Sequence, residues 1–159
     1  MEMGDLLASL GIDMMFGRSN LSLDSKGRIT IPVDFRQSLD KDGNGVVITH
    51  GYNVNCLNVY SVAEFIEQVK ELQKIPPSDE EGQKFIRYFA GSAERCFLDK
   101  QGKVLIPQEL RQDVDLGKDV LISGMGKHAE IWNRETWKQM SSYESTAQVS
   151  ASVEKYQKA

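Results

Sequence analysis

Two pentapeptides carry most of the chemistry in this sequence. Asp24-Ser25-Lys26-Gly27-Arg28 and Asp99-Lys100-Gln101-Gly102-Lys103 each set a carboxylate, a glycine and a final cation at the same spacing. An Asp that opens a tight turn accepts hydrogen bonds from turn amides, and the Gly three residues on takes the positive φ that other residues resist. The cation after that Gly projects from a rigid corner. An arginine there can enter a major groove and donate two parallel hydrogen bonds to guanine O6 and N7, worth about 1–3 kcal/mol of discrimination. The candidate DNA-binding set is Arg28, Lys26, Asp24, Lys100 and Lys103 of the two turns, with Arg18 from the same basic segment as the first turn; Arg28 is the reader and Lys26 meets mainly phosphate. Asp24 is better suited to shaping the turn and holding the guanidinium by a charge-assisted bond than to facing phosphate, which would repel it. Gly27, Asp99 and Gly102 are turn formers. Lys103 can bond guanine but lacks the planar fork, so the second turn is expected to contribute more affinity than base discrimination. The same motif also makes ordinary solvated hairpin turns, so one copy alone does not define a function.

The elements that must position these residues are repeated as well. Residues 23–37 lie over 98–112 at an offset of 75, with seven identities and four conservative matches in fifteen positions. In the first copy, Leu21 and Leu23 alternate with polar residues as a half-buried strand does, and a returning strand runs from Arg28 to Ile31. Pro32 stops it and opens a short helix over Val33–Leu39. Strands over Val46–Thr49 and Cys56–Tyr60 follow, and Ser61 has capping-box spacing for a helix over 62–74. Pro76-Pro77 breaks the pattern. Ser78 to Glu81 then offers a second capping box for a helix to about Ala90. The second copy repeats the plan, with strands over 93–98, 103–106, 119–123 and 129–132, a short helix over 108–113 and a further helix from Arg134. The organisation expected is an N-terminal extension (1–14), a first repeat (15–77), a linking helix (78–92), a second repeat (93–140) and a flexible tail (141–159), mobile or weakly helical because it is poor in large apolar residues. The stripes Phe65/Val69/Leu72 and Phe85/Ile86/Phe89 are expected to pack into the core and leave some surface for subunit contacts.

Bulk properties narrow the function classes. At 159 residues, 40% hydrophobic and 26% charged, the chain suits one core of ordinary size or two small ones that fuse. No window approaches the roughly 18 consecutive apolar residues of a membrane helix. Glu2 and Asp5 stand where a signal peptide carries Lys or Arg, which points to the cytosol. The net charge of −4 argues against a polyanionic partner until its distribution is considered. Residues 16–36 and 95–111 each carry +2, so positive charge is concentrated on the repeated unit. Cys56 and Cys96 each sit alone in an apolar run, as buried structural thiols do. His50 and His128 read as loop histidines at non-corresponding places. Together with the cysteines they have neither metal-site spacing nor a nucleophile motif, so neither an enzyme, a metal, a cofactor nor a small-molecule substrate is expected.

Met15-Phe16-Gly17, the paired Leu-Asp-x-x-Gly-(Arg/Lys) turns and Glu130-Ile131-Trp132 resemble the MraZ family of bacterial proteins over roughly residues 15–140. The first copy has the family's Asp-x-x-x-Arg motif intact, whereas Lys103 departs from it. The resemblance implies an α+β fold: a duplicated AbrB-like swapped-hairpin β-barrel pseudo-dimer with peripheral helices. It implies a ring-shaped homo-oligomer, associated with the nucleoid, that binds tandem direct repeats in double-stranded promoter DNA. The genes it implies are those of the cell-division and cell-wall cluster, with repression of the protein's own operon. Because the family usually begins near Met15, residues 1–14 are expected to be an extension without a function. The competing reading is an AbrB-like antitoxin or scaffold whose main partner is another protein. Such antitoxins usually carry one motif and a disordered toxin-binding tail, whereas here the motif is doubled and the tail is short.

Overall fold

The computed structural model describes residues 2–52, 54–141 and 146–157. Within each copy the chain alternates short strands with short helices. The first copy contributes β1 (Arg18–Ser22), β2 (Arg28–Thr30), α2 (Val33–Leu39), β3 (Val46–His50) and β4 (Leu57–Ser61), preceded by α1 (Met3–Ser9). The helices α3 (Val62–Leu72) and α4 (Glu80–Phe89) lead to the second copy. That copy contributes β5 (Glu94–Cys96), β6 (Lys103–Leu105), α5 (Gln108–Asp113), β7 (Asp119–Gly124) and β8 (Ala129–Asn133), followed by α6 (Arg134–Met140), α7 (Thr146–Ala151) and α8 (Glu154–Gln157). The tail, expected to be mobile or weakly helical, includes two short helices, while residues 142–145 and 158–159 lie outside the described residues.

Each copy completes the other. A six-stranded antiparallel sheet has the order β1-β7-β8-β4-β3-β5, which reads the same when equivalent strands of the two copies are exchanged. The first strand of each copy pairs with the third strand of the other: Leu21 lies opposite Val120 in β1/β7, and Cys96 opposite Val46 in β5/β3. At the centre, β4 and β8 pair with Asn58 opposite Glu130. A second, two-stranded ribbon joins β2 and β6 with Ile29 opposite Val104, and these two residues are themselves equivalent in the repeat. A local twofold axis therefore passes between them. Neither sheet closes on itself among the described residues.

One core serves both copies. Ile29, Ile31, Phe35, Leu39, Val46 and Ile48 share a buried cluster with their counterparts Val104, Ile106, Leu110, Val114, Val120 and Ile122. Strand alternation explains the ribbon: Ile29 and Val104 point into this core, while Arg28, Thr30, Lys103 and Leu105 point outward. Truncating Ile29 or Val104 would leave a cavity beneath both turns at once, costing about 2–5 kcal/mol for the larger side chain. On the opposite face of the sheet, α4 lays Phe89 against Tyr60 and Phe65, and Thr49 donates a hydrogen bond to the Phe89 carbonyl.

Local signals set most helix ends, and one differs from expectation. Ser61 caps α3 by accepting from the Glu64 amide at 3.1 Å. For α4 the cap is Asp79, which accepts from Gly82, and not Ser78: a turn from Pro76 to Asp79 carries the chain one residue further before the helix begins. His50 is a buried strand residue and not a loop histidine. Its Nε2 lies 2.8 Å from Asp113 Oδ2 of α5, its Nδ1 lies 3.0 Å from the Tyr88 carbonyl, and its ring stacks on Tyr88. These contacts tie β3 to α4 and to the other copy. His128 does lie in a turn, between β7 and β8, where it stacks on Tyr60 and burial lowers its pKa. Residues 3–13 are anchored too. Gly4 is buried where a Cβ would strike the Asp34 backbone, Gln37 donates to Asp5, and Lys41 pairs with Asp13 at 2.7 Å, fixing α1 on α2.

Candidate nucleic-acid interface

The two turns are built alike from the backbone upward. Asp24 Oδ1 accepts from the amides of Lys26 and Arg28, each at 2.9 Å, and Asp99 Oδ1 accepts from Gln101 and Lys103 at 2.8 and 2.9 Å. Gly27 and Gly102 close the turns with φ of 88° and 82°. These bonds hold the carboxyls of Asp24 and Asp99 below the ordinary aspartate value. For Asp24 the Arg28 amide contributes most, and for Asp99 the Lys103 amide. The side chains then diverge. Arg28 Nε donates to Asp24 Oδ2 at 2.9 Å, which leaves the terminal nitrogens of the guanidinium without a hydrogen-bond partner among the described residues. Lys103 makes no such ion pair with Asp99 among the described residues.

Pairing of β2 with β6 brings the turns onto one surface. The Ile106 amide donates to the Gly27 carbonyl and the Ile31 amide to the Gly102 carbonyl, so each turn abuts the strand of the other copy. Gly27 and Gly102 flank the ribbon at its two ends, roughly 13 Å apart at about 3.3 Å of strand rise per residue. Lys26 and Lys100 are exposed at the turn tips, and no ion pair ties down either among the described residues. Arg18 is not brought to this cluster. It stands at the far end of β1, with its guanidinium 4.5 Å from the Trp137 ring centre.

Two residues not singled out from sequence complete the arrangement. Arg36 Nε donates to the Ile31 carbonyl at 2.7 Å, and its guanidinium lies against Gly102; Arg111 Nε donates to the Ile106 carbonyl at 2.9 Å, and its guanidinium lies against Gly27. Each copy's short helix thus buttresses the other copy's turn. A Cβ at either glycine would push the guanidinium from its seat, and the positive φ itself disfavours any other residue. The signal was present in the sequence, because Arg36 and Arg111 are identical at the same offset of 75 as the turns. With them, six basic side chains surround two carboxylates.

Other reactive groups are dispersed. Cys56 and Cys96 are free thiols; burial raises both pKa values, that of Cys96 to about 11. Among the described residues, no three His, Cys, Asp or Glu side chains assemble as a metal site, and no helix is long and apolar enough to cross a membrane.

The fold and this surface define an internally duplicated α+β protein whose cationic chemistry is concentrated in two paired hairpin turns. Comparison with known proteins is specific. A family model described as "MraZ protein, putative antitoxin-like" matches residues 14–87 and again 89–158. The protein named transcriptional regulator MraZ in Caldanaerobacter subterraneus is 38% identical over 128 residues, covering 80% of this chain and 87% of that protein. Its namesake in Caldicellulosiruptor saccharolyticus is 38% identical over 142 residues, covering 89% and 93%. That of Clostridium tetani is 36% identical over 126 residues, covering 79% and 86%. The chain belongs to the MraZ family.

Proposed function

We propose that this chain is a transcription regulator that binds double-stranded DNA through its paired turns. The observation that carries the reading is the placement of Arg28 and Lys103 on the outer face of one ribbon, flanked by buttressed turns. A two-stranded ribbon fits the major groove, which is about 12 Å wide. Arg28 reads guanine, Lys26, Lys100 and Lys103 meet mainly phosphate, and Asp24 orients the guanidinium. Arg18, remote from the ribbon, is a flanking phosphate contact. The names of the relatives support regulation of transcription. The exchange of strands between copies supports an AbrB-like swapped-hairpin pseudo-dimer, with the β2/β6 ribbon covering the side of the core that the large sheet leaves open, as in a barrel.

In the finer reading, the protein acts in the cytoplasm on the nucleoid as a ring-shaped homo-oligomer. It grips tandem direct repeats ahead of the cell-division and cell-wall gene cluster and represses its own operon. Few basic residues per chain suffice because a ring presents many copies to tandem sites and gains effective concentration. The test is a mobility shift of Arg28→Ala on DNA from the protein's own upstream region, with light scattering to show that the oligomer persists. Loss of the shift is expected, and unchanged binding defeats the assignment. Affinity should also fall steeply as salt rises, because counterions are released when phosphates are neutralised. A flat response favours the alternative, an antitoxin-like protein with a protein partner.

A further inference from the structure

Leu105 occupies an unusual place for a large apolar side chain. It lies in β6 directly opposite Arg28 on the outer face of the ribbon and is 53% exposed. Its strand neighbours Val104 and Ile106 are fully buried, so alternation forces position 105 outward and the core gains little from a leucine there. The equivalent position in the first copy is Thr30, exposed and opposite Lys103. The middle of the ribbon therefore presents two methyl-bearing side chains, one beside each cation.

Cross-strand neighbours on one face stand about 5 Å apart. A guanidinium bonded to guanine O6 and N7 would hold Leu105 over an adjacent base pair on the floor of the major groove. Thymine is the base that offers an apolar group there, its C5 methyl, and apolar side chains and the threonine methyl are its usual partners. We infer that Leu105 is a specificity-determining residue that packs on a thymine methyl next to the guanine read by Arg28, with Thr30 making a weaker contact of the same kind in the other half. This rests on the proposed DNA reading and adds to it a chemical preference: the site bound must contain thymine beside guanine, and its 5-methyl group must matter. The outer face then divides into a polar reader and an apolar reader on opposing strands, one from each copy.

The experiment compares two preparations of one fragment, the DNA upstream of the protein's own coding sequence, amplified with either thymidine or deoxyuridine triphosphate. Deoxyuridine keeps every hydrogen-bonding group and removes every 5-methyl. Wild-type protein should bind the uracil fragment about three- to tenfold more weakly, the scale of one or two buried methyl-sized groups. Leu105→Ala should lose a similar factor on the thymine fragment and little more on the uracil fragment, because the partner methyl is already gone. Such non-additivity marks direct contact. Leu105→Thr, which copies Thr30, should fall between the two, and light scattering should show an unchanged oligomer for both variants. Equal losses by Leu105→Ala on both fragments, or a wild type indifferent to the methyl, would overturn the inference while leaving Arg28 as a reader. Failure of the wild type to bind either fragment would overturn the DNA reading itself, and the Leu105 contact with it.

Discussion

The two turns share a backbone and differ in their side chains. Both are closed by an Asp carboxylate on two amides and by a glycine with positive φ, and both are buttressed by an arginine from the other copy. Among the described residues, only the first fixes its cation with an ion pair, Arg28 to Asp24, while the second carries Lys103 without one. Lys26 is equivalent to Gln101 in the repeat, and Lys100 to Ser25. The features common to both turns build the corner, and those that differ decide what the corner can recognise. On the proposed function, Asp24 and Asp99 answer to the fold, Arg28 and Lys103 to the DNA.

The sharpest way to break this comparison is to neutralise each cation in turn. Arg28→Ala should cost about 1–3 kcal/mol of DNA binding for every subunit engaged, the value of a bidentate guanine contact. Lys103→Ala should weaken binding less and do so evenly across DNA sequences, lowering the salt dependence by about one charge. Titrations of both variants at several salt concentrations check this. Equal losses would make the copies equivalent readers.

Glycine substitutions probe what the turns share. Gly27→Ala and Gly102→Ala each place a Cβ at positive φ against an arginine, so each should destabilise the fold by about 1–3 kcal/mol. Urea unfolding should show similar losses for the two. A smaller effect comes from removing a buttress. Arg111→Ala acts on the first turn and Arg36→Ala on the second, so the former should reduce DNA binding more, although Arg36 belongs to the reading copy in sequence. The reverse order would show that the buttresses do not act crosswise.

The smallest effect is on acid stability. Asp24 and Asp99 have folded pKa values below the ordinary 3.8, so they release their protons more readily in the folded state. Their contribution is complete above the unfolded value and is lost as pH falls through the lower folded values. Asp24→Asn and Asp99→Asn should each slightly narrow the stability difference between pH 6 and pH 3, in thermal melts at the two pH values.

Much of this architecture was legible in the residues. Proline, glycine and capping signals placed α2, α3 and α5 closely because those signals act within a few residues. The shift of the α4 cap from Ser78 to Asp79 shows the limit, since two competent caps stood side by side and the proline turn chose between them. The offset of 75 revealed the duplication, but nothing local told β1 to pair with β7 and not within its own copy; the expectation of exchanged strands came from family resemblance. Arg36 and Arg111 count in the sequence only as charge, because their role as buttresses exists only across the copy boundary. The exposure of Leu105 follows from alternation, yet its place beside Arg28 depends on the register of two strands some 77 residues apart in sequence.

Strand exchange also sets the order of events at synthesis. Residues 18–22 leave the ribosome about a hundred residues before their partners 119–123, an interval of roughly 5–20 s at ordinary elongation rates. During that time the first copy has its turn but no neighbour for β1, and β3 likewise waits for β5. Contacts of such long range make folding slow and place most of it after translation. The composition of β1, Arg-Ser-Asn-Leu-Ser, suits that wait: a strand with one large apolar residue and a charged end offers little for another nascent chain to grasp.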